Sequence, residues 1–350
     1  MKEKPIKVGI SIGDYNGVGL EIILKTFENH QILELCTPII FASNKLVSFQ
    51  RKHFNITTNF QGIESVDAAL DGKLNVLNCW RDTPTVSFGE ETAEAGHYAL
   101  LSLQAATKAL KDGTIDVLVT APINKNNIQS DDFHFPGHTD YLAEALGGTS
   151  LMFMISEDLK VGLITDHVAL KDVVSHITHE RICQKVRLMN HSLIQDFRLQ
   201  RPKIAVLGIN PHCGDKGVIG NEDDTLLRPA LKQLYLDEGI LVFGPFAADS
   251  FFGSRTYANY DAVLAPYHDQ GLVAFKTLAF GAGVNYTAGL SKVRTSPDHG
   301  TAYEIAGKGI ADAQSFRQAI YEAIDIFRNR QEYAEITKNP LPLRSKEAEK

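Results

Sequence analysis

The sequence predicts an α/β protein whose helices pack on a largely parallel sheet. Short apolar runs alternate with longer amphipathic stretches, and apolar strands of this kind are typical of parallel sheets that are buried on both faces. The predicted strands are residues 6–12, 38–42, 74–77, 116–120, 150–155, 160–164, 203–208, 240–245, 262–265 and 283–287. The predicted helices are residues 19–30, 93–111, 139–146, 179–197, 225–238 and 312–330.

Composition narrows the class of protein. The chain has 350 residues, of which 44% are hydrophobic and 22% charged, as expected of a globular protein with a full core. Domains usually contain about 100–200 residues, so we expect two. The net charge of −7 argues against a broad nucleic-acid-binding surface.

The cysteines and the apolar segments indicate a cytoplasmic location. The four cysteines are far apart and form no CxxC pair, which favours reduced thiols over a disulfide framework. No stretch reaches the ~18 apolar residues of a membrane span, and the N-terminal residues lack the apolar segment of a secretion signal. We therefore expect a cytoplasmic protein without a membrane partner.

Three histidines follow predicted strands closely. His167, His212 and His268 lie in "ITDHVAL", "GINPHCG" and "APYHDQG", and His268 is expected in a turn after strand 262–265. Loops at the carboxyl ends of strands collect ligands in α/β folds. Three neutral imidazoles suit zinc, with cobalt, manganese or magnesium as alternatives. Taken singly, each fits a structural or surface histidine better than a ligand, and only their common position after strands makes a shared metal site an equal alternative. Asp166 and Asp269 could orient two of the rings or be solvated neighbours.

Two further segments indicate an anion site. "FPGHTDYLAEAL" predicts a turn and then a helix capped by Thr139, and the backbone N–H groups at a helix start, beside His138, suit an anion. The glycine-rich segment 274–309 places Lys276, Asn285 and Arg294 along predicted turns. Cations with an amide donor are what a phosphate or carboxylate pocket requires, although loop glycines and solvated cations explain the segment equally well.

Several common motifs are missing. The N-terminal turn "SIGDYNGVGLEI" does not spell GxGxxG, so a Rossmann dinucleotide site is a poor interpretation. The sequence also contains neither a P-loop nor a GxSxG nucleophile elbow.

The ordered set of motifs resembles the 4-hydroxythreonine-4-phosphate dehydrogenases of pyridoxal phosphate biosynthesis. The resemblance runs from about residue 6 to residue 328 and is carried by "GHTDYLA", "TDHVALKDV", "LGINPHCGDKGVIGNED", "GPFAADSFF", "YHDQGLVAFK" and "GAGVNYTAGLSKVRTSPDHGTAYEIAGKG". "HGTAYEIAGKGIA" is also similar to the cofactor loop of isopropylmalate and isocitrate dehydrogenases. This implies two α/β/α domains with an interdomain cleft and no Rossmann fold. We expect residues 1–125 plus 285–350 in the first domain and 126–284 in the second, which carries the metal ligands and the dimer contacts.

The resemblance also implies roles for particular residues. His167, His212 and His268 would bind a divalent metal, with ligands drawn from both subunits of a homodimer. The residues implied to bind substrate are His138, Thr139, Lys276, Asn285 and Arg294. Asp249 and Lys276 are candidates for the base that takes the alcohol proton, with a metal-bound water as the alternative. The NAD or NADP loop would include Gly300, Thr301, Ala302 and Ile305.

The implied reaction is the NAD-dependent oxidation of 4-phosphooxy-L-threonine at C3, followed by decarboxylation to 3-amino-2-oxopropyl phosphate. The family commonly has Gly-Glu-Pro-Ala-Gly-Ile-Gly near the start, whereas this chain has Gly-Asp-Tyr-Asn-Gly-Val-Gly at 13–19. The bulkier Tyr15 and Asn16 leave room for a dehydrogenase of phosphothreonate or phosphoerythronate. A three-histidine metal hydrolase of phosphorylated metabolites and a non-catalytic binding protein are further alternatives.

Overall fold

A computed structural model describes residues 5–279 and 281–340 of the chain. In these residues a single sheet contains twelve strands. In chain order, β1 to β12 are Ile6–Ser11, Cys36–Ala42, Phe60–Ile63, Leu74–Asn78, Val117–Thr120, Gly148–Ile155, Lys160–Leu163, Ile204–Leu207, Val242–Phe246, Ala262–Ala265, Val284–Leu290 and Val293–Pro297.

The sheet has two parallel halves joined by an antiparallel centre. Its strand order is β3-β4-β2-β1-β5-β12-β11-β6-β7-β10-β8-β9. The pairs from β3 to β12 and from β7 to β9 are all parallel, whereas β12–β11, β11–β6 and β6–β7 are antiparallel. The predicted α/β class with a largely parallel sheet is confirmed. The order also differs from the six-stranded parallel order of the Rossmann fold.

Ten α-helices lie in the described residues. In chain order, α1 to α10 are Gly19–Thr26, Asn44–His53, Ala93–Lys111, His138–Leu146, Val173–His176, His179–Gln195, Arg228–Glu238, Ala248–Gly253, His268–Leu278 and Gln314–Ile336. Local sequence fixes several boundaries: the Thr92 and Thr178 side chains accept hydrogen bonds from Ala95 N and Arg181 N at the starts of α3 and α6. Gly239, in the left-handed conformation, ends α7.

Both faces of the sheet are covered, which explains the unbroken apolar strands. Alternate residues of β1 and β5, such as Ile10 and Val119, share one core cluster with α1 and α10. Leu118, which precedes Val119 on β5 and faces the other side of the sheet, belongs to another cluster with Leu110 of α3. A strand covered on both faces buries every side chain, so its sequence shows no period of two.

The predicted elements differ from the structure in four places. Strands β3 and β12 and helices α2, α5, α8 and α9 were not predicted, because their sequences are short or polar. His268 begins α9 and is not in a turn, and Lys276 lies within the same helix. Asn285 and Arg294 lie on strands β11 and β12, not on turns. Thr139 is the second residue of α4 and makes no capping bond, because the N-cap position belongs to Gly137.

The predicted domain boundaries remain a prediction. The sheet continues without a break from the segment 1–125 into the segment 126–284, and the predicted boundary at 284/285 falls at the first residue of β11. Residues 1–4 and 341–350 of the first predicted domain lie outside the described residues. None of the helices between residues 5 and 340, residue 280 left aside, is long and apolar enough to cross a membrane.

Candidate active site

A cavity of about 210 Å³ opens at the centre of the sheet, where the two halves meet. Its wall is formed by the end of β5 and the loop after it, the start of α4, strand β6, the loop that follows β7, helix α9, strands β11 and β12, and the loop that follows β12. The predicted residues that border it are His138, Thr139, His167, His268, Lys276, Asn285, Arg294 and Gly300. The topology therefore gathers eight of the predicted site residues from six separate segments.

Arg294 is the most buried charged group of this cavity. Its side chain is 1% exposed, and its guanidinium donates to Thr120 Oγ1 at 2.6 and 3.1 Å and to Thr287 Oγ1 at 3.1 Å. Burial lowers its pKa to about 9, and its hydrogen-bond partners among the described residues include no carboxylate. A buried cation without a counter-ion is costly. The cavity is therefore prepared for an anion.

His138 and Thr139 begin helix α4 beside this guanidinium. The Nε2 atom of His138 is buried and has no hydrogen-bond partner within residues 5–279 and 281–340. Burial first, and then the charges of Arg294 and Lys125, lower the pKa of His138 well below its usual value. The imidazole is therefore neutral at pH 7. The N–H groups in the first turn of a helix lack intrahelical acceptors, which makes this end of α4 a favourable place for a phosphate or carboxylate.

Lys276 and Asn285 complete the side of the cavity nearest the hairpin. Lys276 Nζ donates to the backbone oxygen of Asp298 at 2.8 Å, which fixes the ammonium at the cavity wall. The Oδ1 atom of Asn285 is buried without a partner. A buried polar atom without a partner costs free energy that a bound ligand can recover.

Two of the three predicted metal ligands meet in this cavity. The ring centroids of His167 and His268 are 6.4 Å apart. His268 Nδ1 is 2.7 Å from Asp269 Oδ1, so this carboxylate does orient the ring. Asp166 instead accepts a hydrogen bond from the backbone N–H of His167, and Asp140 Oδ2, at 3.6 Å, is the carboxylate nearest His167 Nδ1.

His212 and Asp249 lie outside the lining of this cavity within one chain. His212 belongs to the segment Pro211–Gly217, here called the hook, in which His212 to Lys216 all have positive φ. The buried carboxylate of Asp223 accepts from Ile209 N at 2.8 Å and from Asn210 N at 3.0 Å, and so holds the base of the hook. Asp249 is exposed on α8. Burial raises the pKa of Cys213 in the hook, and the charge of Asp249 adds to this shift, so Asp249 lies in the same region of the molecule as the hook.

The predicted metal ligands are not all brought together within one chain. Among residues 5–279 and 281–340 no three His, Cys, Asp or Glu side chains are grouped to hold a metal. The imidazoles of His167 and His268 are nevertheless of the kind that binds divalent cations, and the Lys125 ammonium lies 3.3 Å from His167 Nε2. The predicted ligand set included a second subunit, so His212 as a ligand stays a prediction.

The predicted cofactor loop runs along one side of the cavity. Gly300 borders the cavity, and the backbone oxygen of Thr301 accepts from Val18 N at 3.0 Å. Ala302 has a φ of 48°, and Ile305 packs against the main core. The loop is thus tied to the glycine-rich turn at 13–19, and its contact with NAD stays a prediction.

The unusual residues of the N-terminal turn do not border the cavity. Tyr15 is fully buried, and its hydroxyl lies 3.3 Å from Thr85 O and 3.4 Å from Glu94 Oε2. The amide of Asn16 donates to Glu90 O and Thr92 Oγ1, both at 3.1 Å. Tyr15 and Asn16 therefore make no contact with the cavity that would support an effect on the choice of substrate.

Sequence reasoning missed Lys125, Asp298 and His299 in the cavity lining. Lys125 lies in "TAPINK", directly after a strand that was predicted correctly, so its position at a strand exit was available as a signal. Asp298 and His299 follow β12, which was not predicted, and no signal marked them.

Comparison with known proteins decides the family. The family described as pyridoxal phosphate biosynthetic protein PdxA matches residues 34–323. The chain belongs to this family. A 4-hydroxythreonine-4-phosphate dehydrogenase of Bacteroides thetaiotaomicron is 49% identical over 343 residues, 97% of this chain and 94% of the relative.

Two further relatives match the chain over nearly its whole length. A crystal structure of 4-hydroxythreonine-4-phosphate dehydrogenase from Klebsiella pneumoniae superposes with a TM-score of 0.77 at 30% identity, covering 93% of this chain and 99% of that one. A protein of Oceanobacillus iheyensis, provisionally named D-threonate 4-phosphate dehydrogenase, is 37% identical and covers 93% of this chain and 99% of its own. The chain is thus an oxidoreductase, and members with two different substrate names resemble it.

Proposed function

We propose that this protein oxidises the C3 hydroxyl of 4-phosphooxy-L-threonine with NAD, after which the 3-oxo acid loses carbon dioxide to give 3-amino-2-oxopropyl phosphate. The observation that carries the proposal is Arg294, a buried cation without a carboxylate partner, in a cavity that Gly300 of the predicted cofactor loop also borders. An anionic substrate held there meets the nicotinamide in one space. The product belongs to pyridoxine 5′-phosphate biosynthesis.

The cavity residues bind and orient the substrate. Arg294, His138 and Thr139 hold one anionic end at the start of α4, and Asn285 and Lys276 hold polar groups nearer the hairpin. Anchoring both ends fixes which face of C3 meets the cofactor. Such positioning contributes several kcal/mol to catalysis, on the order of 7 or more in favourable cases.

Lys276 is the better supported of the two proposed bases. It borders the cavity and is held by Asp298 O at 2.8 Å, so an alcohol proton has a fixed acceptor position when the amine is neutral. Asp249 is exposed outside the cavity lining of its own chain, so it would act from a second subunit.

A divalent metal, with zinc as first choice over cobalt, manganese or magnesium, would be held by His167 and His268 of one subunit and His212 of the other. When bound, such an ion lowers the pKa of a coordinated alcohol and stabilises negative charge on the resulting oxygen. Asp269, 2.7 Å from His268 Nδ1, keeps that imidazole oriented with Nε2 free to bind.

A cytoplasmic homodimer with shared active sites is part of the proposal. His212 does not line the cavity of its own chain, and the adjacent Val218 and Ile219 next to the hook are 82% and 43% exposed, which leaves a small apolar surface for a partner subunit. The four cysteines are free thiols, as in a reducing compartment. We also retain the two-domain division at residues 125 and 285, with NAD or NADP bound by Gly300, Thr301, Ala302 and Ile305.

A substrate panel tests the function. The purified protein, supplied with NAD and zinc, receives 4-phosphooxy-L-threonine, phosphothreonate or phosphoerythronate while nicotinamide reduction is followed by absorbance. The proposal expects the highest kcat/KM for 4-phosphooxy-L-threonine and loss of activity after chelation. Preference for a sugar acid would select the related dehydrogenase, phosphate release without NAD reduction the hydrolase, and binding without turnover the non-catalytic alternative.

A further inference from the structure

Lys125 is a cation at the cavity that the family resemblance does not assign. It lies in the loop between β5 and α4 and is largely exposed, but its side chain borders the cavity. Its Nζ lies 3.3 Å from His167 Nε2, and its Cε lies near Gly137 at the start of α4. The ammonium is therefore directed inward at the rim of the cavity.

The charge of Lys125 acts on the same point as that of Arg294. Both contribute to the lowered pKa of His138, the first residue of α4. Arg294 approaches from the buried floor and Lys125 from the exposed rim. A phosphate monoester carries close to two negative charges at pH 7. Two cations and a helix N-terminus suit such a dianion better than Arg294 alone.

The residues that flank Lys125 hold its backbone in place. Asn124 Nδ2 donates to Glu91 Oε2 at 2.8 Å, and the Asn126 amide donates to the other oxygen of the same carboxylate. Asn127 Nδ2 donates to the buried Asp14 Oδ2 at 2.7 Å. An exposed lysine is usually solvated and mobile, but here three neighbouring asparagines fix the segment that presents it.

We propose that Lys125 binds the substrate's phosphate together with Arg294, and that Glu91 is the positioning residue of this loop. The proposal rests on the proposed function only for the identity of the phosphorylated substrate. The phosphate chemistry itself is tested without that substrate.

Inorganic phosphate is the probe, titrated calorimetrically into the purified protein. Lys125→Met keeps the apolar stem and removes the charge, Lys125→Arg keeps a cation, and Lys111→Met, exposed on α3, is the control. Loss of a charge-assisted hydrogen bond predicts phosphate binding weakened about 10- to 100-fold in Lys125→Met, with substantial rescue in Lys125→Arg. Equal phosphate affinity of Lys125→Met and Lys111→Met would overturn the proposal.

Steady-state kinetics separate binding from folding. In Lys125→Met the KM of the phosphorylated substrate should rise by about the same factor as the phosphate Kd, with a much smaller change in kcat. A fall in kcat with unchanged KM and unchanged phosphate affinity would mean that Lys125 acts on His167 and not on the phosphate, and would overturn the proposal. Glu91→Gln should raise the KM by about two- to fivefold, since one of its two amide contacts is lost.

The two proposals fail differently. If no member of the substrate panel is oxidised, but phosphate binding depends on Lys125, the proposed function is wrong and the phosphate site stands. If 4-phosphooxy-L-threonine is oxidised and the affinity for phosphate does not depend on Lys125, the proposed function stands and the assignment of Lys125 is wrong.

Discussion

The cavity and the hook place functional side chains in opposite ways. Arg294 is 1% exposed on a strand and is held by two threonine hydroxyls. His212 is exposed on a segment where six consecutive residues, His212 to Gly217, have positive φ. Left-handed backbone costs roughly 1–3 kcal/mol for each non-glycine residue and persists where surrounding structure enforces it, often at functional sites. Burial thus marks the part that one chain completes, and strained exposed backbone marks a part without a partner in that chain.

The largest expected effect tests whether the hook serves another subunit. His212→Ala and His268→Ala are each expected to lower turnover by orders of magnitude and to reduce bound metal. In a mixed dimer of the two variants, purified by separate tags, one of the two sites keeps all three imidazoles. Such a dimer should therefore show about half of wild-type activity.

A mixed dimer of His167→Ala and His268→Ala is the matched control. These two imidazoles line the cavity of the same chain, 6.4 Å apart between ring centroids, so both sites of that dimer lack a ligand. It should be inactive. Equal activity of the two mixed dimers would show that His212 does not complete the cavity of the other subunit.

A smaller effect is expected at the floor of the cavity. Arg294→Met should raise the KM about 10- to 150-fold, because a charge-assisted contact to the substrate is lost. Since the wild-type guanidinium is buried without a counter-ion, the variant should unfold at the same or a higher temperature. Arg187→Met, which breaks an exposed pair with Glu238, is the control. An unaltered KM would remove Arg294 from the binding site.

The smallest effect concerns pH and the neutral imidazole at the start of α4. The folded pKa of His138 is lower than its ordinary value of 6.5, so the unfolded state binds more protons below that pH. Its contribution to stability is present above about pH 6.5 and is lost as the pH falls towards the folded pKa. The free energy of unfolding should decrease on acidification by up to about 1.4 kcal/mol per pH unit from this group.

Denaturant titrations between about pH 7.5 and pH 5 measure this difference. The His138→Gln variant should lose stability less steeply than the wild type, and His30→Gln, on an exposed short helix, serves as the comparison. Parallel curves for His138→Gln and the wild type would show that the imidazole is not kept neutral by the fold.

Much of the fold could be predicted because buried parallel strands are apolar throughout. Strand β10, Ala262–Ala265, and helix α3, Ala93–Lys111, were predicted to the residue. Strand β12 was missed because Val-Arg-Thr-Ser-Pro is polar, and it is polar because Arg294 lies in the cavity floor. The start of α9 was taken for a turn, since His-Asp-Gln-Gly contains no helical apolar period.

The sequence predicted only those parts of the site that follow directly from the ends of predicted strands. The family resemblance implied that Arg294, Asn285 and His138 share a pocket, but the order of strands that brings them together was not predicted. Lys125 follows a predicted strand, so its position at a strand exit was available, but the side-chain bonds from Asn124 and Asn126 to Glu91 that hold its segment follow no local pattern. Whether His212 of the hook reaches a cavity depends on how two subunits assemble, and the sequence pattern of one chain does not show this.

The pairing of β12 with β5 also determines when the cavity first exists during synthesis. Val293 lies opposite Val117, and Arg294 opposite Leu118, so the central seam is closed by the last strand of the described residues to leave the ribosome. A nascent chain that ends before residue 293 contains the other eleven of these strands but no floor for the anion. Phosphorylated metabolites therefore cannot assist the early folding of this protein, and can stabilise it only after the seam has closed.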